Sequence, residues 1–168
     1  MPLRWQWGAL AALVVAVGVA LQERRAGAGF DALIIETGSA AFFAVLAALA
    51  FADPDSGLHA YSAALSAGTL ALIAGVSLLV RKPFTLGIAK RGTPRAVWGT
   101  KPFVRANTVI TAVWTGAFAL TAAALALLDH AGQAHSTAAT LVQVAGFALP
   151  MYVTSRYVAA RQAAAAAH

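Results

Sequence analysis

Residues 80–107 form a stretch with seven of the chain's twelve basic residues and no acidic residue, and a long apolar run lies on either side of it. Apolar runs of about 20 residues are long enough for a helix to cross the hydrocarbon core of a bilayer. Cytoplasmic loops of membrane proteins carry an excess of Lys and Arg. The chain is therefore predicted to be an integral membrane protein with a cytoplasmic loop at 81–107.

Composition supports a membrane protein of one domain. The 168 residues are 60% hydrophobic and 11% charged, whereas soluble domains carry about 25% charged residues. The formal charge is +6, but the basic residues lie at the ends of apolar runs, which indicates membrane topology and argues against nucleic-acid binding. Cysteine is absent, which excludes a disulfide, a thiol nucleophile and a thiolate metal site.

Five apolar segments predict an all-α integral membrane protein, a bundle of about five transmembrane helices in a single domain, residues 1–168. The first segment is short and follows a basic N-terminus, so a cleaved signal peptide is the alternative interpretation. Arg24 and Arg25 come directly after it, on the wrong side for an exported mature chain, and this favours an uncleaved span. The predicted spans are 5–21, 30–52, 60–80, 108–128 and 137–158.

The distribution of charge predicts the orientation of these spans. An outside N-terminus and a cytoplasmic C-terminus place the basic residues at 24–25, 81–105 and 156–161 in the cytoplasm and leave Arg4 outside. The acidic loop at 53–57 then lies outside. The predicted localisation is a bacterial inner membrane, which the chain crosses several times.

The basic loop contains a segment, residues 83–90, that can make two helical turns with one apolar side. Such a segment beside a span commonly lies in the membrane interface, with Trp at the level of the head groups. An ordinary loop is the alternative. Anionic lipid head groups are the expected partners of the surplus charge. The predicted membrane-interface residues are Arg81, Lys82, Lys90, Arg91, Arg95, Trp98 and Lys101.

Glu36 is a carboxylate inside a predicted span, roughly 9 Å from its cytoplasmic end by the rise of a helix. An ionisable group at that depth requires a partner or a water-filled cavity. Three interpretations stay open: a polar pocket for a proton or a lipid head group, an ion pair with Arg105 or Arg156, and a side chain that snorkels to the interface. Polar residues at a similar depth complete the candidate cluster: Glu36, Arg105, Asn107, Thr111, Tyr152 and Arg156.

Nothing in the sequence predicts a catalytic residue. No nucleophile elbow, P-loop, dinucleotide-binding fingerprint or zinc-protease motif occurs. His130 and His135 are five residues apart, which is neither of the two spacings that bring side chains together on a helix, so no metal site and no cofactor are predicted. Small residues repeat every four positions in the second and third spans. This spacing lets helices approach closely, within one chain or in an oligomer.

Three features also occur together in a known family. A span is closed by Arg81-Lys82-Pro83-Phe84, a basic loop with Pro and Trp follows, and the interval from Pro102 to Asn107 opens the next span. From Ala26 to Val158 the chain resembles the intracellular septation protein A family of small bacterial inner-membrane proteins. The resemblance implies five spans, the plasma membrane, and a role in envelope maintenance or septation through division or wall-synthesis membrane proteins, without catalysis. A small transporter or channel with a polar pocket around Glu36 is the alternative function.

Overall fold

A computed structural model describes residues 5–27, 33–53 and 55–166. These residues form helices and connecting turns without any strand, which confirms the all-α prediction. Short 3-10 turns occur at Gly57–Tyr61 and Arg95–Val97. The helices are α1 (Trp5–Arg25), α2 (Ile34–Ala52), α3 (Ser62–Leu79), α4 (Phe84–Arg91), α5 (Lys101–His130) and α6 (Thr137–Ala166).

Four helices, α1, α3, α5 and α6, are long and apolar enough to cross a membrane. The apolar part of α2, Glu36–Ala52, is shorter. The predicted start of the second span lies in residues 28–32, outside the described residues. The structure thus confirms a chain with several candidate membrane spans, and a total of five stays a prediction.

The last two long helices extend further than the sequence pattern indicates. We expect the fourth span to begin at residue 108, but α5 begins at Lys101 because Pro102 lies in its first turn, where a helix needs no backbone N–H. Residues 101–107 of the predicted loop are therefore helical. The fifth span is predicted to end at residue 158, whereas α6 continues to Ala166 and carries Pro150 in its interior.

The long helices pack side by side in antiparallel pairs: α1 with α2, α2 with α3, α3 with α5, and α5 with α6. Trp7, at the start of α1, lies edge-on against Phe51, at the end of α2, with ring centroids 5.6 Å apart. The short helix α4 packs against α5. Further antiparallel contacts join Gly38 to Ile73, Gly75 to Thr115, Gly68 to Ala122, and Phe118 to Phe147.

Antiparallel packing gathers the basic residues at one end of the molecule. The ends of α1, α3 and α6, the starts of α2 and α5 and the whole of α4 lie at this end, called the basic end here, which also carries Glu23 and Glu36. The other end, the acidic end, carries Asp53, Asp55 and Asp129. The basic residues of the described chain all lie at the basic end: Arg24, Arg25, Arg81, Lys82, Lys90, Arg91, Arg95, Lys101, Arg105, Arg156 and Arg161.

Candidate functional site

A sharp turn after α3 positions the short helix α4. Arg81 adopts a left-handed backbone conformation, with φ of 58°, and the Lys82 N–H donates to the Ser77 carbonyl at 2.9 Å. The buried Ser77 hydroxyl donates to the Ala74 carbonyl at 2.6 Å and accepts the N–H of Phe84 at 3.2 Å. These contacts satisfy backbone groups that the end of one helix and the start of the next would otherwise leave unpaired. The turn therefore sets the position of α4 beside α5.

Buried hydroxyl groups join α4 to α5. The Thr85 hydroxyl donates to the carbonyl of Asn107 at 3.0 Å and lies 2.8 Å from the Thr111 hydroxyl. Because Thr85 has one hydroxyl proton and donates it to Asn107, Thr111 is the donor of the second bond. The Asn107 amide donates to the Phe103 carbonyl of its own helix at 3.0 Å. Two of the candidate cluster residues, Asn107 and Thr111, thus belong to a helix contact whose hydrogen bonds are internal.

An apolar groove lies beside this contact, between the basic-end halves of α5 and α6, and α4 forms part of its wall. Its cavity volume is about 440 Å³. At its deep end, Trp114, Phe118 and Phe147 pack with ring centroids 5.4–6.3 Å apart. The groove is lined by Leu70, Phe84, Thr85, Ile88, Ala89, Asn107, Ile110, Trp114, Phe118, Phe147, Thr154 and Val158.

Most polar groups of the groove wall make hydrogen bonds within the protein. The indole N–H of Trp114 donates to the Thr154 hydroxyl at 3.1 Å, and the Thr85 hydroxyl is engaged by Asn107 and Thr111. A wall whose polar groups are already paired offers little to a polar solute, which loses its hydration on entry without compensation. The groove therefore suits an apolar occupant.

The basic loop is a folded structure. The indole N–H of Trp98 donates to the Thr93 carbonyl at 2.9 Å. The Lys90 ammonium and the Arg95 guanidinium lie 5.5 and 5.6 Å from the centroid of the Trp98 ring, within the range of cation–π attraction. The Thr93 hydroxyl donates to the Ala89 carbonyl at 2.6 Å. The loop thus places two cations, those of Lys90 and Arg95, around one Trp.

An ion pair connects this loop to α1. The Arg91 guanidinium lies 2.7 Å from a carboxylate oxygen of Glu23, although the two residues are far apart in the chain. Both side chains are partly exposed, so the pair adds little to stability. Its value is positional, because it connects the end of α1 to the end of α4.

The structure does not bring the six candidate cluster residues together. α2, which carries Glu36, packs mainly on α1 and α3, whereas α5 packs on α3, α4 and α6. Glu36 is in the first turn of α2, two residues from the start of the helix. Arg105, Tyr152 and Arg156 are exposed.

The ion pair considered for Glu36, with Arg105 or Arg156, does not form. One carboxylate oxygen of Glu36 is buried and has no hydrogen-bond partner among the described residues. The first turn of a helix is nevertheless a favourable place for a carboxylate, since the positive end of the helix dipole lies there. The helix dipole therefore supplies part of the stabilisation that the charged carboxylate of Glu36 needs.

The predicted interface residues all lie at the basic end, close to the loop turns. Arg81, Lys82, Arg91, Arg95 and Lys101 are exposed, and Lys90 and Trp98 are partly buried against each other. The segment 83–90 is helical as predicted, since α4 spans Phe84–Arg91.

Sequence reasoning missed the groove and one buried acid. Thr154, Phe147 and Trp114 lie in apolar runs, and only the register of α6 on α5 brings them together. Asp129 is 8% exposed, and one of its carboxylate oxygens has no hydrogen-bond partner in the described chain. The sequence offers no signal for its burial, because an acid at the end of an apolar run is normally solvated.

Searches of protein-family models, curated proteins and solved structures found no match to this chain. The described residues contain no group of three or more metal-ligating side chains. The function must therefore be argued from the charge distribution, the basic loop and the groove.

Proposed function

We propose that this chain is a five-span protein of a bacterial inner membrane that acts in envelope maintenance or septation without catalysing a reaction. The observation that carries the proposal is that every described Lys and Arg lies at one end, where the only described acidic residues are Glu23 and Glu36, while Asp53, Asp55 and Asp129 lie at the other. A basic end of this kind belongs in the cytoplasm. The N-terminus then lies outside and the C-terminus inside. Helix α2, with 19 residues, is about 28 Å long by helix rise and serves as the second span.

The basic loop is the working surface in this proposal. Each Lys or Arg near an anionic leaflet contributes about 1 kcal/mol of attraction. The cation–π contacts of Lys90 and Arg95 with Trp98 hold these two charges beside an aromatic ring. Trp side chains are common at the level of the lipid head groups. The same surface can receive acidic segments of division or wall-synthesis membrane proteins.

A small transporter or channel is the second candidate. It is favoured by Glu36, whose buried oxygen has no partner in the part of the chain that the structure describes, because ionisable groups within spans commonly serve ion or proton pathways. It is disfavoured by the position of Glu36 on α2, since Asn107 and Thr111 lie on α5 and bind Thr85 instead.

Complementation of a deletion strain tests the first proposal. The double variant Arg95→Gln/Lys101→Gln removes two charges from the loop, and we expect it to fail to restore normal septation and envelope integrity. The matched control, Arg24→Gln/Arg25→Gln, removes two charges from the same end but outside the loop, and should complement at equal expression. Full complementation by the loop variant would contradict the role of the loop. Saturable ion flux through the purified protein in liposomes would favour the transporter.

A further inference from the structure

We propose that the groove between α5 and α6 holds one acyl chain of an anionic phospholipid from the leaflet on the basic side, with the lipid phosphate at Arg161. This inference deepens the proposed function and rests on it for the assignment of that leaflet to the cytoplasmic side. It names one lipid as a specific partner of the basic end.

The length of the groove supports an acyl chain. On α5 its lining runs from Asn107 to Phe118, and on α6 from Val158 to Phe147. Both intervals are eleven residues, which is about 16 Å at the rise of an α-helix. One leaflet of the hydrocarbon core is about 15 Å thick, half of the usual 30 Å. The groove therefore extends from the basic end to the middle of a bilayer and ends at the cluster of Trp114, Phe118 and Phe147.

The lining and the opening of the groove fit the same occupant. The Trp114 indole N–H and the Thr85 hydroxyl of its wall donate to groups of the protein. Ile88, Phe147 and Val158 line the groove and are also exposed at the surface. A chain can thus enter sideways from the bilayer, and contact with this wall replaces its contact with other lipids.

Charge at the basic end of the groove selects the head group. Thr154, Val158 and Arg161 follow one another at spacings of four and three residues, so they lie along one face of α6. Arg161 is exposed, makes no ion pair within the described residues, and lies over the Tyr157 ring at 5.6 Å. A guanidinium one turn beyond the groove is suited to bind a phosphate with two hydrogen bonds.

Helix α6 also supplies matched controls. Val153 is exposed like Val158 but does not line the groove. Arg156 is five residues before Arg161 and therefore lies about 140° away from it around the helix. Substitutions at Val153 and Arg156 change the same residue types on the same helix without touching the proposed site.

Native mass spectrometry of the delipidated full-length chain in a neutral detergent tests the proposal. We expect saturable binding of one phosphatidylglycerol, with weaker binding of phosphatidylethanolamine of the same acyl composition. Val158→Trp should fill the groove and abolish binding, whereas Val153→Trp should bind like the wild type. Arg161→Gln should raise the Kd for phosphatidylglycerol about tenfold, as expected for a lost hydrogen bond to a charged group, and Arg156→Gln should leave it unchanged.

Fluorescence quenching in the unsubstituted chain provides a second test that does not depend on whether the groove variants fold. Phosphatidylglycerol with brominated acyl chains should quench Trp114 fluorescence and saturate at one lipid per protein, and the quenched component should vanish in Trp114→Phe. Equal binding by the two Val variants, equal affinity for the two lipids, or no quenching of Trp114 would each overturn the proposal. A lipid-free dimer that Val158→Trp dissociates would overturn it in favour of a second copy of the chain. Lipid binding in detergent depends neither on the orientation of the protein in a membrane nor on protein partners. A failure of the lipid-binding proposal can therefore be distinguished from a failure of the proposed function.

Discussion

The two sides of α5 are built differently. Toward α3 and α4, α5 buries Thr111 and Asn107, and hydroxyl groups join α5 to α4. Toward α6, contact is close at the acidic end, where Thr121 lies against Gly146, and gives way to the groove at the basic end. The spacing between α5 and α6 depends on the size of the side chains between them. The absence of a side chain at Gly146 lets α6 come close to α5, whereas the rings of Trp114 and Phe147 lie between the two helices toward the basic end.

This difference indicates which parts of the molecule hold the fold and which are left open. The side toward α3 and α4 fixes the loop turn and the position of α4. The side toward α6 is held at one end and open at the other, so it can accept an occupant without disrupting the rest. Substitutions on the two sides of α5 should therefore differ in their effect on stability, and the largest effect is expected at the contact that closes the acidic end of the groove.

Gly146→Ala should have the largest effect on stability. A Cβ at this position would overlap the side chain of Thr121, which is β-branched and cannot turn away freely. Overpacking of this kind costs about 1–3 kcal/mol, so the melting temperature in detergent should fall. Gly116→Ala is the control, because a Cβ there meets nothing within 4 Å. An unchanged melting temperature in Gly146→Ala would show that α6 is not held at this point.

Thr85→Val should have a smaller effect. The substitution keeps the shape and removes the hydroxyl that binds Asn107 and Thr111. Thr111 can then turn its hydroxyl to a carbonyl of its own helix, so we expect a loss of about 1 kcal/mol in the free energy of unfolding. Thr108→Val is the control, because the exposed Thr108 hydroxyl donates to the Val104 carbonyl within α5. Equal losses in the two variants would mean that the contact between α4 and α5 adds nothing.

Glu36→Gln should have the smallest effect on stability. Glu36 is on α2, which packs mainly on α1 and α3, and it has no cation partner in the described chain. We expect the melting temperature to stay the same or rise. A double-mutant cycle of Glu36→Gln with Arg105→Gln or Arg156→Gln should give coupling below about 0.5 kcal/mol, the value for independent sites. A marked loss of stability that either Arg substitution partly restores would reinstate the buried ion pair.

The sequence was sufficient for the helical class, the basic loop and the helix at 83–90, since these depend on apolar run length and local charge. It was not sufficient for the groove, because the meeting of Trp114 with Thr154 depends on how α6 sits on α5. The predicted cluster of Glu36 with Asn107 does not form, for a related reason. Equal depth on two spans says nothing about which helices are neighbours, and α2 packs mainly on α1 and α3.

Helix ends were predictable only where a local cause was visible. Gly132, with φ of 73°, follows the end of α5 as a glycine commonly does. Arg81 takes the corresponding place after α3 with φ of 58°, although a residue with a side chain is strained there. Backbone preference would favour glycine at this position. The positive charge of Arg81, which lies at the basic end, explains why an arginine is present instead.

The most direct test of the account is the side of the membrane on which each end lies. The chain has no cysteine, so single cysteines can be introduced without removing native ones, at the exposed positions Asp55, Ala96, Gln133 and Gln162. A membrane-impermeant maleimide should label Asp55→Cys and Gln133→Cys in intact cells, and Ala96→Cys and Gln162→Cys only after permeabilisation. Labelling of Ala96→Cys from outside, or protection of Asp55→Cys, would contradict a five-span protein with its basic end in the cytoplasm.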